Sequence, residues 1–120
     1  MRYMLLIYGC DTFAEGSAPL EAKRTRVQEF NERCRERGAY VAGAPLHGVE
    51  TATTVRVRDG EAMITDGPFA ETAEQLGGYY VFECRDLDEA LQLAAECPMA
   101  AEGAVEVRPV REVPMFRDAT

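Results

Sequence analysis

Gly78-Tyr79-Tyr80-Val81-Phe82-Glu83-Cys84 reads as a strand with apolar side chains on both faces, Tyr79 and Val81 on one and Tyr80, Phe82 and Cys84 on the other. Tyr3-Met4-Leu5-Leu6-Ile7-Tyr8 has the same character, with Tyr3, Leu5 and Ile7 opposing Met4, Leu6 and Tyr8. A strand of this kind needs cover on both sides. Working outward from these two segments decides the fold, because the rest of the chain supplies cover for only one.

Residues 9–18 carry Gly9, Gly16 and Ser17 and read as a connection, with Ser17 or Ala18 capping a helix that has Pro19 in its first turn. Leu20, Val27, Phe30 and Cys34 then form one narrow apolar stripe, and charged residues fill the remainder up to Gly38. A strand from Tyr40 to about Ala44 follows, then an irregular link from Pro45 to Ala52. Thr53–Arg58 and Glu61–Thr65 flank Asp59-Gly60, the dipeptide that supplies positive φ to a two-residue hairpin turn; Val55 and Val57 are expected to face inward. Asp86 with Glu89 three residues on has the pattern of a capping box, opening a helix with Leu87, Ala90, Leu91, Ala94 and Cys97 as its buried stripe. Pro98 ends that helix. The last strand, Ala104 to Val110, sets Val105 and Val107 against Glu106 and Arg108.

The order is therefore strand, helix, strand, hairpin, strand, helix, strand. Two helices, at about 19–37 and 87–97, can cover one face of a sheet of this width. The second face of the doubly apolar strands is left for a partner sheet, and the expectation is a homodimer.

Composition narrows the partners further. At 120 residues the chain is one domain, and 47% hydrophobic with 28% charged residues is ordinary for a folded globular protein. A net charge of −8 repels phosphate backbones and anionic lipid, which argues against direct nucleic-acid binding and against a membrane. No segment approaches the roughly 20 apolar residues that span a bilayer, so a cytoplasmic location is expected. Twelve of the thirteen basic residues are arginine, a composition suited to a small anionic ligand. Cys10, Cys34, Cys84 and Cys97 show no paired metal-ligand spacing, and with the lone His47 they cannot complete a zinc site; free thiols and no metal or other cofactor are expected.

Chemistry concentrates in the segment before the second doubly apolar strand. Asp66-Gly67-Pro68-Phe69 is a turn, since glycine tolerates unusual φ and proline restricts both itself and its predecessor. Asp66 either accepts amide hydrogen bonds in that turn, with Phe69 packed beneath it, or acts as an acid/base at the mouth of a pocket; Glu71 and Glu74, three apart, are either acid/base groups there too or members of a solvated helical turn. Phe69 is an anchor or a stacking platform for a ligand. His47, the only side chain with an unperturbed pKa near neutrality, is either the proton shuttle of an enzyme or an exposed, idle histidine in an irregular loop. Glu106 and Arg108 share a strand face, where they either pair with each other or orient an anionic ligand.

The segment Ile64 to Cys84, together with Asp86-Leu87-Asp88-Glu89-Ala90-Leu91 and Val105-Glu106-Val107-Arg108-Pro109-Val110, resembles the DGPF branch of the YciI-like (YCII-related) proteins. The resemblance covers residues 1–112 and leaves 113–120 as a tail. It implies an α+β fold, a ferredoxin-like sheet with two helices on one face that dimerises face to face into an α/β barrel. It also implies a possible extracytoplasmic-function sigma factor as partner. In that family a His-Asp pair belongs to the first long helix. Aligning on Gly38 places Val27 where the histidine would be and Glu36 where the aspartate would be, so the resemblance brings the scaffold without that pair. Two functions follow: a non-catalytic module binding a small molecule or a protein, or a cofactor-independent enzyme using a carboxylate such as Asp66 or Glu71 for proton transfer or addition-elimination. Convergence of His47, Asp66 and Arg108 in one concave pocket would favour the enzyme, and their dispersal the binding module.

Overall fold

In chain order the elements are β1 (Arg2–Tyr8), α1 (Ala18–Glu36), β2 (Tyr40–Pro45), β3 (Thr53–Arg58), β4 (Glu61–Asp66), β5 (Leu76–Glu83), α2 (Leu87–Glu96) and β6 (Ala104–Pro109). Short 3-10 turns lie at Val49–Thr51, Pro98–Ala101 and Pro114–Phe116. These come from a computed structural model that describes residues 1–9 and 15–116; Cys10 falls outside them.

β2, β5, β1 and β6 form one antiparallel sheet in that spatial order. With the two crossover helices this is a ferredoxin-like α+β arrangement. Register does the sorting: Tyr3 opposes Phe82 and Leu5 opposes Tyr80, so their side chains share a face, while Met4 opposes Val81 and Leu6 opposes Tyr79 on the other. The first set is buried with Phe30 and Cys34 of α1 and with Ala90, Leu93 and Ala94 of α2. Both helices therefore lie on one side of the sheet. Aromatic rings dominate this core, with Tyr80 stacked on Phe82 at 5.0 Å and Phe30 edge-on to Tyr80 at 5.8 Å.

Each helix start is fixed by its cap. The Ser17 hydroxyl accepts from the Leu20 amide at 3.3 Å, and the Asp86 carboxylate accepts from the Glu89 amide at 2.9 Å. Glu89 reaches back one residue further than a capping box requires, accepting from the Arg85 amide at 3.0 Å. On α1 the expected stripe faces the sheet, with Phe30 and Cys34 buried and Leu20 and Val27 half-buried. On α2 it is rotated: Leu87 and Leu91 are each 47% exposed, and Leu93 is buried. Two apolar stripes overlap there, sharing Ala90, Ala94 and Cys97. The small alanines let the helix approach the sheet closely, and that approach brings in Leu93.

The β3–β4 hairpin corrects a second expectation. Its turn is as anticipated, with Asp59 at φ 52° and Gly60 at φ 78°. Its valines do not face inward. Val55 and Val57 are 60% and 59% exposed, and the hairpin forms its own two-stranded sheet, apart from the main one. A radius of gyration of 16.5 Å exceeds the about 14 Å expected for a chain of this length, consistent with an outlying arm.

Candidate functional site

Leu20 and Val27 are only half-buried although they lie on the inner stripe of α1, because the helix and the sheet part company at that end. The gap is a cavity of about 330 Å³, within the range of small-molecule sites. Ile7, Val27, Tyr40 and Met99 supply apolar wall. Strand ends without side chains keep it open: Gly77 and Gly78 begin β5, and Gly43 lies on β2. Gly43 has a specific reason to be glycine, since a Cβ there would meet Cδ1 of Tyr80 at 2.7 Å.

Three polar features punctuate these walls. The Tyr80 hydroxyl donates to Oδ1 of Asn31 at 2.6 Å, which leaves the Asn31 amide nitrogen with its two donors at the cavity. Burial pushes the Tyr80 phenol well above its ordinary pKa, against the opposing effect of the Asn31 bond, so it stays a neutral donor. Lys23, the only lysine of the chain, also lines the cavity. Its ammonium sits 3.0 Å from the Glu102 carboxylate with the side chain just 15% exposed. Arg26 approaches the same carboxylate at 3.8 Å. The chemistry on offer is one amide, one cation held by an acid, and a protonated phenol next to apolar surface.

None of the candidate site residues His47, Asp66, Phe69, Glu71, Glu74, Glu106 and Arg108 lines this cavity. His47 is exposed in the connection after β2. Asp66 ends β4, opposite Thr53, and is exposed. Its turn is closed by others: the Gly67 amide donates to the Ala52 carbonyl at 2.8 Å and the Thr54 hydroxyl to the Gly67 carbonyl at 2.7 Å, with Gly67 at φ 106°. Among the described residues the Asp66 carboxylate accepts no hydrogen bond, which corrects the expectation of an amide-bonded turn. Phe69 is 74% exposed rather than packed beneath Asp66, and the Arg56 guanidinium lies over its ring at 4.9 Å. Glu71 and Glu74 are exposed in the segment leading to β5.

Glu106 and Arg108 do share the uncovered face of the sheet, beside Leu6 and Met4 respectively. Among the described residues Glu106 makes no ion pair with Arg108 and instead accepts from the Tyr8 hydroxyl at 3.1 Å. That bond, after desolvation, raises the Tyr8 phenol pKa. His47, Asp66 and Arg108 thus lie on three different segments, the connection after β2, the end of β4 and β6, and none of them lines the cavity.

The residue reasoning missed Asn31, Lys23 and Glu102. One signal was available: Val27, placed by alignment where the family histidine would be, lines the cavity, and Lys23 and Asn31 are its neighbours at i−4 and i+4. Glu36, the counterpart of the aspartate, is exposed at the far end of α1. Cys34, Cys84 and Cys97 are buried free thiols, as expected, and among the described residues no cluster of metal-ligating side chains occurs. No helix among the described residues is long and apolar enough to cross a membrane.

Comparison with known proteins adds three findings. A family model for the YCII-related domain matches residues 1–114. An uncharacterized protein of Rhizobium meliloti (strain 1021) is 35% identical over 114 residues, 92% of each chain. Among solved structures, 5-chloro-2-hydroxyhydroquinone dehydrochlorinase from Burkholderia phenoliruptrix AC1100, in complex with 2,5-dihydroxybenzoquinone, superposes with a TM-score of 0.56 over 96% of this chain and 98% of its own. At 13% identity that likeness shows the fold alone. None of the three names a sigma factor.

Proposed function

The chain belongs to the YCII-related domain family, and on that premise we propose that it binds a small organic molecule in the cavity between α1 and the sheet, without the His-Asp pair associated with the family. The carrying observation is the make-up of that cavity: apolar walls, the donor pair of Asn31 and the ammonium of Lys23, with no histidine among its lining residues. Such a site suits a flat, ring-sized ligand with one or two carbonyl or phenolate oxygens, the oxygens meeting Asn31 and Lys23. The ligand of the structural neighbour, 2,5-dihydroxybenzoquinone, has that chemistry and is the first probe to try. Calorimetric titration with it and with related hydroxybenzoquinones should show saturable binding that Val27→Trp abolishes while circular dichroism stays unchanged. Equal binding by wild type and Val27→Trp would remove the cavity from consideration.

A second reading rests on Glu102, the one carboxylate among the described cavity residues, held beside Lys23. In it the pair performs proton transfer during an addition-elimination on the same class of ligand. Chloride release from 5-chloro-2-hydroxyhydroquinone, lost in Glu102→Gln with binding retained, would favour this enzyme over the binding module; no release by wild type would exclude that substrate.

We also propose that the uncovered sheet face pairs with that of a second copy, giving the dimeric α/β barrel implied by the resemblance. Met4, Leu6, Tyr79 and Val81 support this, since each large apolar side chain withdrawn from water contributes ~1.5–3 kcal/mol.

A further inference from the structure

An isolated two-stranded ribbon is marginal in water, yet β3 and β4 pair along six positions from Thr53–Asp66 to Arg58–Glu61, and among the described residues no other element covers either face broadly. The ribbon is amphipathic. Val55 opposes Ile64 and Val57 opposes Ala62, so these four side chains share one face, and Ile64 is 70% exposed. The opposite face carries Arg56 and Arg58, with Phe69 beneath the Arg56 guanidinium. An apolar face this exposed marks a contact surface.

We propose that the β3–β4 hairpin is a dimerisation arm: its Val55, Val57 and Ile64 face lies against a second copy of this chain and completes the interface begun by the sheet. This rests on the pairing of sheet faces proposed above. Area supports it. Four strands of about six residues present a face of only about 400 Å², about half the ~800 Å² per partner of a stable interface. A six-residue ribbon adds a footprint of about 200 Å², and an isologous pair gains it twice on each copy, once as the arm and once as the surface the partner's arm covers. The total then reaches the required size. Charge permits it as well: the sheet face bears Arg2 and Arg108 alongside Glu83 and Glu106, so it is locally neutral in a chain of net charge −8.

Sedimentation equilibrium of wild type, of the double variant V55E/I64E, and of a variant with residues 54–65 replaced by a short Gly-Ser link tests the arm. Wild type is expected as a dimer at about 10 µM. Both variants should keep the helical circular dichroism of wild type, because both helices pack on the main sheet and not on the arm. Both should weaken self-association at least about 100-fold. A dimeric wild type with both variants equally tight overturns the arm and leaves the sheet pairing standing. A monomeric wild type overturns both. Should the glutamate variant fail to fold, the linker variant alone decides.

Discussion

The edge strand β6 of the main sheet and the β3–β4 hairpin are written in similar residues, alternating valines with charged positions, yet they meet opposite fates. In β6 the alternation is resolved by two helices that arrive on the Val105 and Val107 side of the sheet, the side on which Leu5 and Phe82 are completely buried. In the hairpin the same alternation produces a correct turn and a correct register, but no layer comes to meet it, and Val57 and Ile64 remain in water in the single chain. Local pattern dictates which residues share a face. What that face touches depends on chain that is far away in sequence, or on another molecule altogether.

Stability measurements can sharpen or break this contrast. The largest effect is expected at Phe82, fully buried and ringed by Phe30, Tyr40 and Tyr80: Phe82→Ala should cost about 3–5 kcal/mol in urea unfolding. A loss below 1 kcal/mol would mean that the aromatic cluster is not the centre of the fold. Gly43→Ala comes next, at about 1–3 kcal/mol, because the new methyl drives the Tyr80 ring off its place against Phe82 and strains the bond to Asn31. A neutral result there would show that the cavity wall gives way easily. The smallest effect belongs to the arm. In the monomer, Val57→Ala should change unfolding by no more than about 0.5 kcal/mol, since 59% of the valine is already in water. A core-sized loss would place the hairpin inside its own protomer and end the distinction.

Much of the architecture was legible because it depends on local rules. The caps at Ser17 and Asp86, the Asp59-Gly60 turn and the inner stripe of α1 each follow from side-chain chemistry within a few residues. Leu87, Leu91 and Leu93 were not, because two stripes share the same alanines and tertiary approach alone chooses between them. The site was less legible still. Asp66, Phe69 and Glu71 stand beside a conspicuous turn, whereas the cavity is assembled from α1, β2, β5 and the segment after α2, pieces that no local spacing connects. Its polar residues sit one helical turn either side of Val27, a position singled out only for what it lacked.

The buried thiols offer a use of their own. Cys34 lies on α1, Cys84 just beyond β5 and Cys97 at the end of α2, so each belongs to a different element of the one core. Burial removes them from solvent and lifts the Cys34 pKa from 9.0 to about 11, with Cys84 and Cys97 shifted the same way, so the reactive thiolate is suppressed along with access. Modification by a thiol reagent therefore requires that part of the molecule to open. In a Cys10→Ser background, the three labelling rates near pH 8 act as three clocks, each timing the excursions of one structural element. Equal rates would describe a protein that opens as a whole; a faster Cys97 would identify α2 as the piece that lets go first.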